Sequence, residues 1–245
     1  MNLTILIDRK LANVLDFICK HPLTFVSETD IHCLVTHELM QIPELKPEKQ
    51  YPTKCTIGLN RNGKSSEKTY TTMRVHKEYG HAKFKRARSD IVILNPQDIK
   101  EISLPLDLKK DKKRVGWITP DYIFEFGTEK AANSEEEFRM HLGNDIEKAN
   151  TCNKKGYVIH IQRNVCLSRD RRLLKNRAKY EGYLNSIREE VKKAEPTVKI
   201  VVLIIDIGNE GRYIGKDGKI KLFKDSRFKG VNQKNLKEEL FRALQ

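Results

Sequence analysis

The chain has 245 residues; 47 are Lys or Arg and 33 are Asp or Glu, which gives a formal net charge of +14. That length holds one large domain, or one domain with an elaboration. The compact aliphatic runs exclude a disordered chain, and none approaches the roughly 18 apolar residues of a membrane span. The apolar start, Met1 to Asp8, has no basic leader and no small-residue cleavage site, so it does not read as a signal peptide. Cys19, Cys33, Cys55, Cys152 and Cys166 are scattered and form no CxxC pair, which argues against a cysteine zinc site and a disulfide framework. A soluble protein in a reducing, cytoplasmic setting is expected.

In chain order, Ile5, Leu11, Val14, Leu15, Phe17 and Ile18 repeat at helical spacing up to about residue 20, and His21-Pro22 ends that helix. Ser27-Glu28-Thr29-Asp30 reads as an N-cap with acids in the first turn of a second helix that runs to about Met40. Residues 60–69 read as a polar loop. Strands are expected over Tyr70 to Tyr79, Ala87 to Leu94 and Tyr122 to Phe126, with a basic excursion over residues 97–119. Asn133 or Ser134 caps a helix to about Ala149, and Tyr157 to Ile161 is a fourth strand. A charged helix over 168–193, a buried strand from Val198 to Ile205, a hairpin from Gly211 to Phe223 and a helix from Asn232 to Leu244 complete the chain. This order predicts an α/β sandwich around a mixed sheet. The N-terminal helix occupies residues 1–26, the core 27–163, and a basic C-terminal extension 164–245 packs on that core.

The excess positive charge falls in runs. Lys83, Lys85, Arg86 and Arg88 form one, Lys112 and Lys113 belong to a second, and Arg171, Arg172 and Lys175 to a third. Such runs suit a polyanion, DNA or RNA, whose backbone phosphates they would hold. The plainer explanation is a solvated lysine-rich surface. Aromatics are sparse in these runs, so a single-strand stacking platform is not expected.

Two strand-type runs each carry an acid that the strand does not need: Asp90 in Arg88 to Leu94, and Glu125 in Tyr122 to Gly127. A carboxylate buried without a partner is strongly destabilising. Neighbouring strands lie about 5 Å apart, so two acids at facing positions can converge on one cation. The alternative is that each acid caps a strand or pairs with Arg86 or Arg88. Pro120-Asp121 precedes Glu125 by four residues, but carboxylates so spaced on one strand lie about 13 Å apart and cannot share a small ion. The histidines show no metal-ligand spacing, so a histidine-metal nuclease is the weaker alternative. The glycines fail the GxxxxGK[ST] phosphate-loop spacing.

The pair Asp90 and Glu125, set in an α-β-β-β-α-β order over residues 27 to about 163, resembles the PD-(D/E)xK nuclease superfamily. Val75 to Tyr79 resembles the strand that precedes the superfamily's first acid. His141 to Ala149 and the Tyr157–Ile161 strand resemble its post-motif helix and fourth strand. The resemblance implies a restriction-endonuclease-like αβββαβ core and a Mg²⁺-dependent endonuclease, with Mn²⁺ as a substitute, acting on DNA in restriction or defence. Asp90 and Glu125 would hold the metal, with Glu28 and Glu78 as auxiliary acids. Gly127 stands where the pattern has lysine, and Lys130 or Lys148 would supply that cation. Without a substitute lysine, the chain would be an inactive nucleic-acid-binding or scaffold protein of the same fold. Many nucleases of this fold act as dimers, so a homodimer is the expected assembly.

Overall fold

The computed structural model describes residues 2–21, 24, 27–59, 65–80, 88–101, 103–105, 119–128, 135–164, 185, 187–206, 210–215, 220–224 and 234–245. Helix α1 (Leu3–Lys20) is capped by Asn2, whose side chain accepts from the Thr4 N–H at 2.9 Å. Its Ile7, Leu11, Val14, Leu15 and Ile18 are buried along one stripe, each contributing about 1.5–3 kcal/mol of apolar transfer. Helix α2 (Glu28–Met40) starts at Ser27, whose N–H is capped in return by the Asp30 carboxylate at 2.8 Å.

The main sheet has seven strands in the order β10-β9-β8-β7-β6-β4-β3. These are β3 (Val75–Gly80), β4 (Arg88–Ile93), β6 (Tyr122–Thr128), β7 (Lys155–Asn164), β8 (Val198–Asp206), β9 (Glu210–Gly215) and β10 (Ile220–Lys224). The β6, β7 and β8 strands run parallel, and the remaining neighbours pair antiparallel. The protein is therefore a mixed α/β sandwich. On one face Ile91, Phe124, Phe126, Tyr157 and Leu203 pack under α1, α2 and the last helix, α5 (Lys234–Leu244). On the other face Val92, Ile123, Val158 and Val202 pack under α4 (Glu135–Ala149) and the helical residues 187–191. Strands covered on both faces read as continuous apolar runs, which is why Val198 to Ile205 has no polar alternation.

Chain ends and sheet are tied by one buried cluster. Lys155 Nζ donates to both Asp8 oxygens, at 3.0 and 2.9 Å, and to the Leu244 carbonyl, while Tyr157 Oη donates to Asp8 at 2.7 Å. These bonds join α1, α5 and β7.

Two expectations need correction. The single strand expected over Tyr70–Tyr79 is two strands, because Met73-Arg74 turns the chain out of one sheet and into another. Buried Arg74 holds that turn: its Nε donates to the Leu94 carbonyl at 2.9 Å. The first part belongs to β2 (Ser65–Thr72), which pairs with β1 (Tyr51–Leu59), so Ser65 to Thr69 is strand and not loop. The basic excursion opens with a short helix α3 (Pro96–Glu101) and then β5 (Ser103–Pro105), which lies parallel to β1 and completes a second sheet ordered β2-β1-β5. Most of the helix expected over 168–193 lies outside the described residues, and 187–191 is helical. Among the described residues, no helix is long and apolar enough to cross a membrane.

Candidate metal and acid–lysine centre

The β4–β6 ladder pairs Ile93 with Tyr122, Val92 with Ile123 and Ile91 with Phe124, and ends there. One residue further, the same register opposes Asp90 to Glu125. Asp90 replaces the missing ladder bond with its own side chain, Oδ2 accepting from the Phe126 N–H at 2.7 Å. The sheet therefore opens where the two acids stand.

Glu125 is fully buried. Its Oε2 takes a short hydrogen bond from Lys148 Nζ, which also donates to the Arg88 carbonyl at 3.3 Å and lies 3.0 Å from Asp145 Oδ1. Its other oxygen, Oε1, is shielded from solvent and has no partner among the described residues. Burial and then the Asp90 charge hold the Glu125 carboxyl well above the usual carboxylate range, against the pull of Lys148. Burial alone would lower the Lys148 pKa, but Glu125 and Asp145 more than offset it, so the amine stays charged. Asp145 is shifted the other way. Its burial penalty is outweighed by His141, His160 and Lys148, and its carboxyl lies well below its ordinary value.

The glycine at position 127 has a steric explanation. Gly127 pairs with His160 across β6 and β7, and the His160 ring lies over the glycine. A Cβ at residue 127 would come within 2.5 to 2.8 Å of three ring atoms, closer than van der Waals contact. His160 occupies the space that any side chain at 127 would need, and Nε2 of the same imidazole bonds Asp145 at 2.9 Å.

A second group of donors stands beside Asp90. His32 on α2 is buried, and its Nε2 lies 3.5 Å from Asp90 Oδ2 and 3.8 Å from Glu28 Oε1, without a hydrogen bond to either. The three donor atoms lie within 4.8 Å of one another. Glu28 therefore reaches Asp90, and its carboxyl is pushed up first by burial and then by Asp90.

The other residues singled out from the sequence are placed as follows. Glu78 is exposed on β3 in a left-handed conformation, φ 51°, and is outside both groups of close ligand atoms. The β3–β4 register would oppose it to Asp90, but that pair is missing from the ladder. Lys130, Lys83, Lys85, Arg86, Lys112, Lys113, Arg171, Arg172 and Lys175 lie outside the described residues. Arg88 is exposed at the start of β4, and its backbone carbonyl, not its guanidinium, meets Lys148. Asp121 is at the far end of β6, where Lys154 Nζ lies 2.8 Å from its carboxylate.

The histidines, which linear spacing left without a metal pattern, stand beside acids in the fold: His32 by Asp90 and Glu28, and His141 and His160 by Asp145. Asp90 and His160 come to these groups from other elements, which linear spacing could not reveal. The legible traces were Glu28 with His32 and His141 with Asp145, each four apart on a helix, where such pairs meet on one face.

Fold and site together define a mixed α/β protein in which two opposed strand acids, one lysine and three histidines meet at the open end of a sheet. No protein-family model matches the chain, and no curated protein matches it. Among solved structures the chain is similar to the YaeQ protein from Xanthomonas axonopodis pv. citri, at 10% identity and a TM-score of 0.16, over 71% of this chain and 94% of that one. A likeness that slight leaves fold and site to rest on the geometry above.

Proposed function

We propose that the chain is a divalent-metal-dependent phosphodiesterase of the PD-(D/E)xK, restriction-endonuclease-like class, cutting DNA. The observation that carries the reading is the Lys148 amine on Glu125 beside Asp90, at the point where β4 and β6 part. Three groups from separate segments converge there, in the element order α2-β3-β4-β6-α4-β7. The net charge of +14 suits a polyanionic substrate.

The donors fit a divalent ion. Glu125 Oε1 is buried and unpartnered, and the Glu125 and Glu28 carboxyls are pushed up, first by burial and then by Asp90. Asp90 and Glu125 would hold the ion, with Glu28 and His32 at its edge. An imidazole nitrogen in the set favours Mn²⁺ over Mg²⁺, which prefers an all-oxygen shell. When bound, such an ion supplies an activated water and stabilises charge on the phosphate. Lys148 takes the part of the lysine that Gly127 lacks. Held charged by two acids, it acts as a fixed cation toward developing phosphate charge and not as a proton acceptor. Asp145 fixes the other side of that amine.

The test is cleavage of plasmid and single-stranded DNA by the purified chain with Mg²⁺ or Mn²⁺. Cutting is expected, with loss on chelation and in Asp90→Ala and Glu125→Ala. Cutting that survives both substitutions would refute the site. Salt-sensitive DNA binding without cutting would instead identify a non-catalytic binding module of this fold.

A further inference from the structure

The acid–lysine centre leaves one side of Asp145 unused. There, His160 Nε2 and His141 Nδ1 both face Asp145 Oδ2, at 2.9 and 3.0 Å. His141 and Asp145 lie one turn apart on α4, and His160 reaches up from β7. One ligand atom from each lies within 4.8 Å of the other two. We infer that His141, Asp145 and His160 form a binding site for a transition-metal ion of the zinc class, separate from the carboxylate site at Asp90 and Glu125.

Four observations carry this. The donor set is two imidazoles and one carboxylate, which suits zinc and its neighbours and not hard Mg²⁺. The two rings lie 5.3 Å apart, centre to centre, at 61°. Two imidazoles on one tetrahedral zinc, each with Zn–N of about 2.0–2.1 Å, have ring centres about 5 Å apart. The hydrogen-bond accounting also favours an ion. His160 Nε2 has the geometry of a bond to Asp145, but His141 Nδ1, equally close and shielded from solvent, does not. Both nitrogens converge on the same carboxylate oxygen, the arrangement that ligands of one ion require. The His160 Nδ1 is buried without a partner in either case, so it does not discriminate. Finally, His141 is only half-buried, with 35% of its side chain exposed, so the group lies close to the protein surface.

The site bears on the centre beside it. Asp145 offers Oδ2 to the histidines and Oδ1 to Lys148. An ion at Oδ2 would fix the carboxylate that aims the Lys148 amine at Glu125. The inference does not depend on the nuclease reading, because its readout is binding.

The full chain, stripped with chelator and dialysed, is titrated with Co²⁺ followed by visible absorption, and with Zn²⁺ followed by calorimetry. Co²⁺ is expected to give intense visible bands of low coordination number, displaced by Zn²⁺ and kept in Asp90→Ala. His141→Gln, at a half-exposed position that tolerates the change, should weaken the site at least roughly tenfold, the scale on which even outer-shell partners act. His160→Gln should abolish it. Circular dichroism reports folding, and if His160→Gln unfolds, His141→Gln decides. The inference is overturned if folded wild type binds neither ion, if His141→Gln binds as well as wild type, or if Asp90→Ala removes the ion. Absence of DNA cleavage alone would count against the nuclease reading and leave this result standing.

Discussion

The two ends of β6 each bury an acid, and the two acids behave differently. Asp121 is 1% exposed and Glu125 is 0% exposed, so burial alone does not separate them. Around Asp121 the cations Lys154 and Arg74 lie at 2.8 and 4.0 Å, the Asn95 amide donates at 3.5 Å, and its own N–H donates to the Ile93 carbonyl. Around Glu125 one oxygen has Lys148, the other has nothing, and Asp90 stands opposite. A buried acid surrounded by cations locks a strand end. One left with a bare oxygen and a like-charged neighbour is a place prepared for another cation. That contrast, more than burial, is what distinguishes the two ends of the strand.

The largest effect that tests the contrast is on turnover. Glu125→Gln and Asp90→Asn should each lower DNA cleavage on the order of a thousandfold, about 4 kcal/mol of transition-state stabilisation. Asp121→Asn should leave the cleavage rate of the folded protein within a few-fold of wild type. A comparable rate loss at both ends would break the comparison. Next comes Lys148→Met, for which single-turnover assays should give a loss of about a hundredfold in rate with DNA affinity nearly kept.

Stability should show the opposite ranking. Asp121→Ala is expected to cost about 1–3 kcal/mol in urea unfolding, since buried Arg74 loses its acid. Gly127→Ala should cost a similar 1–3 kcal/mol through overlap with His160. That penalty should shrink in the Gly127→Ala, His160→Ala double variant, a coupling that a double-mutant cycle measures directly. Smallest is Lys154→Ala. This lysine is half-exposed, so its loss should cost less than about 1 kcal/mol.

Much of this was legible in the residues. The helical stripe from Ile5 to Ile18, the Ser27 cap, the apolar Val198–Ile205 strand and the hairpin after it are local consequences of side-chain period and cap chemistry. The two acids in apolar runs were visible for the same reason, because an isolated charge in a buried strand stands out within six or seven residues. The second sheet was not legible. Its strands from Tyr51 to Thr72 are rich in Thr, Lys and Ser and lack the clean apolar alternation that marks a half-buried strand. Nor were the contacts of His32 with Asp90 and of His160 with Asp145, which join separate elements.

The sequence by itself determined the element order, the charge, and which acids would be expensive to bury. Only the tertiary structure decided which groups meet. The β4–β6 register brought Asp90 opposite Glu125, and the packing of α4 on the sheet brought Lys148 to that pair. The parallel β6–β7 register laid His160 over Gly127, so the glycine leaves the room that an imidazole fills. These are contacts between residues 15 to 36 positions apart, set by register and layer packing. No local period in the chain encodes them.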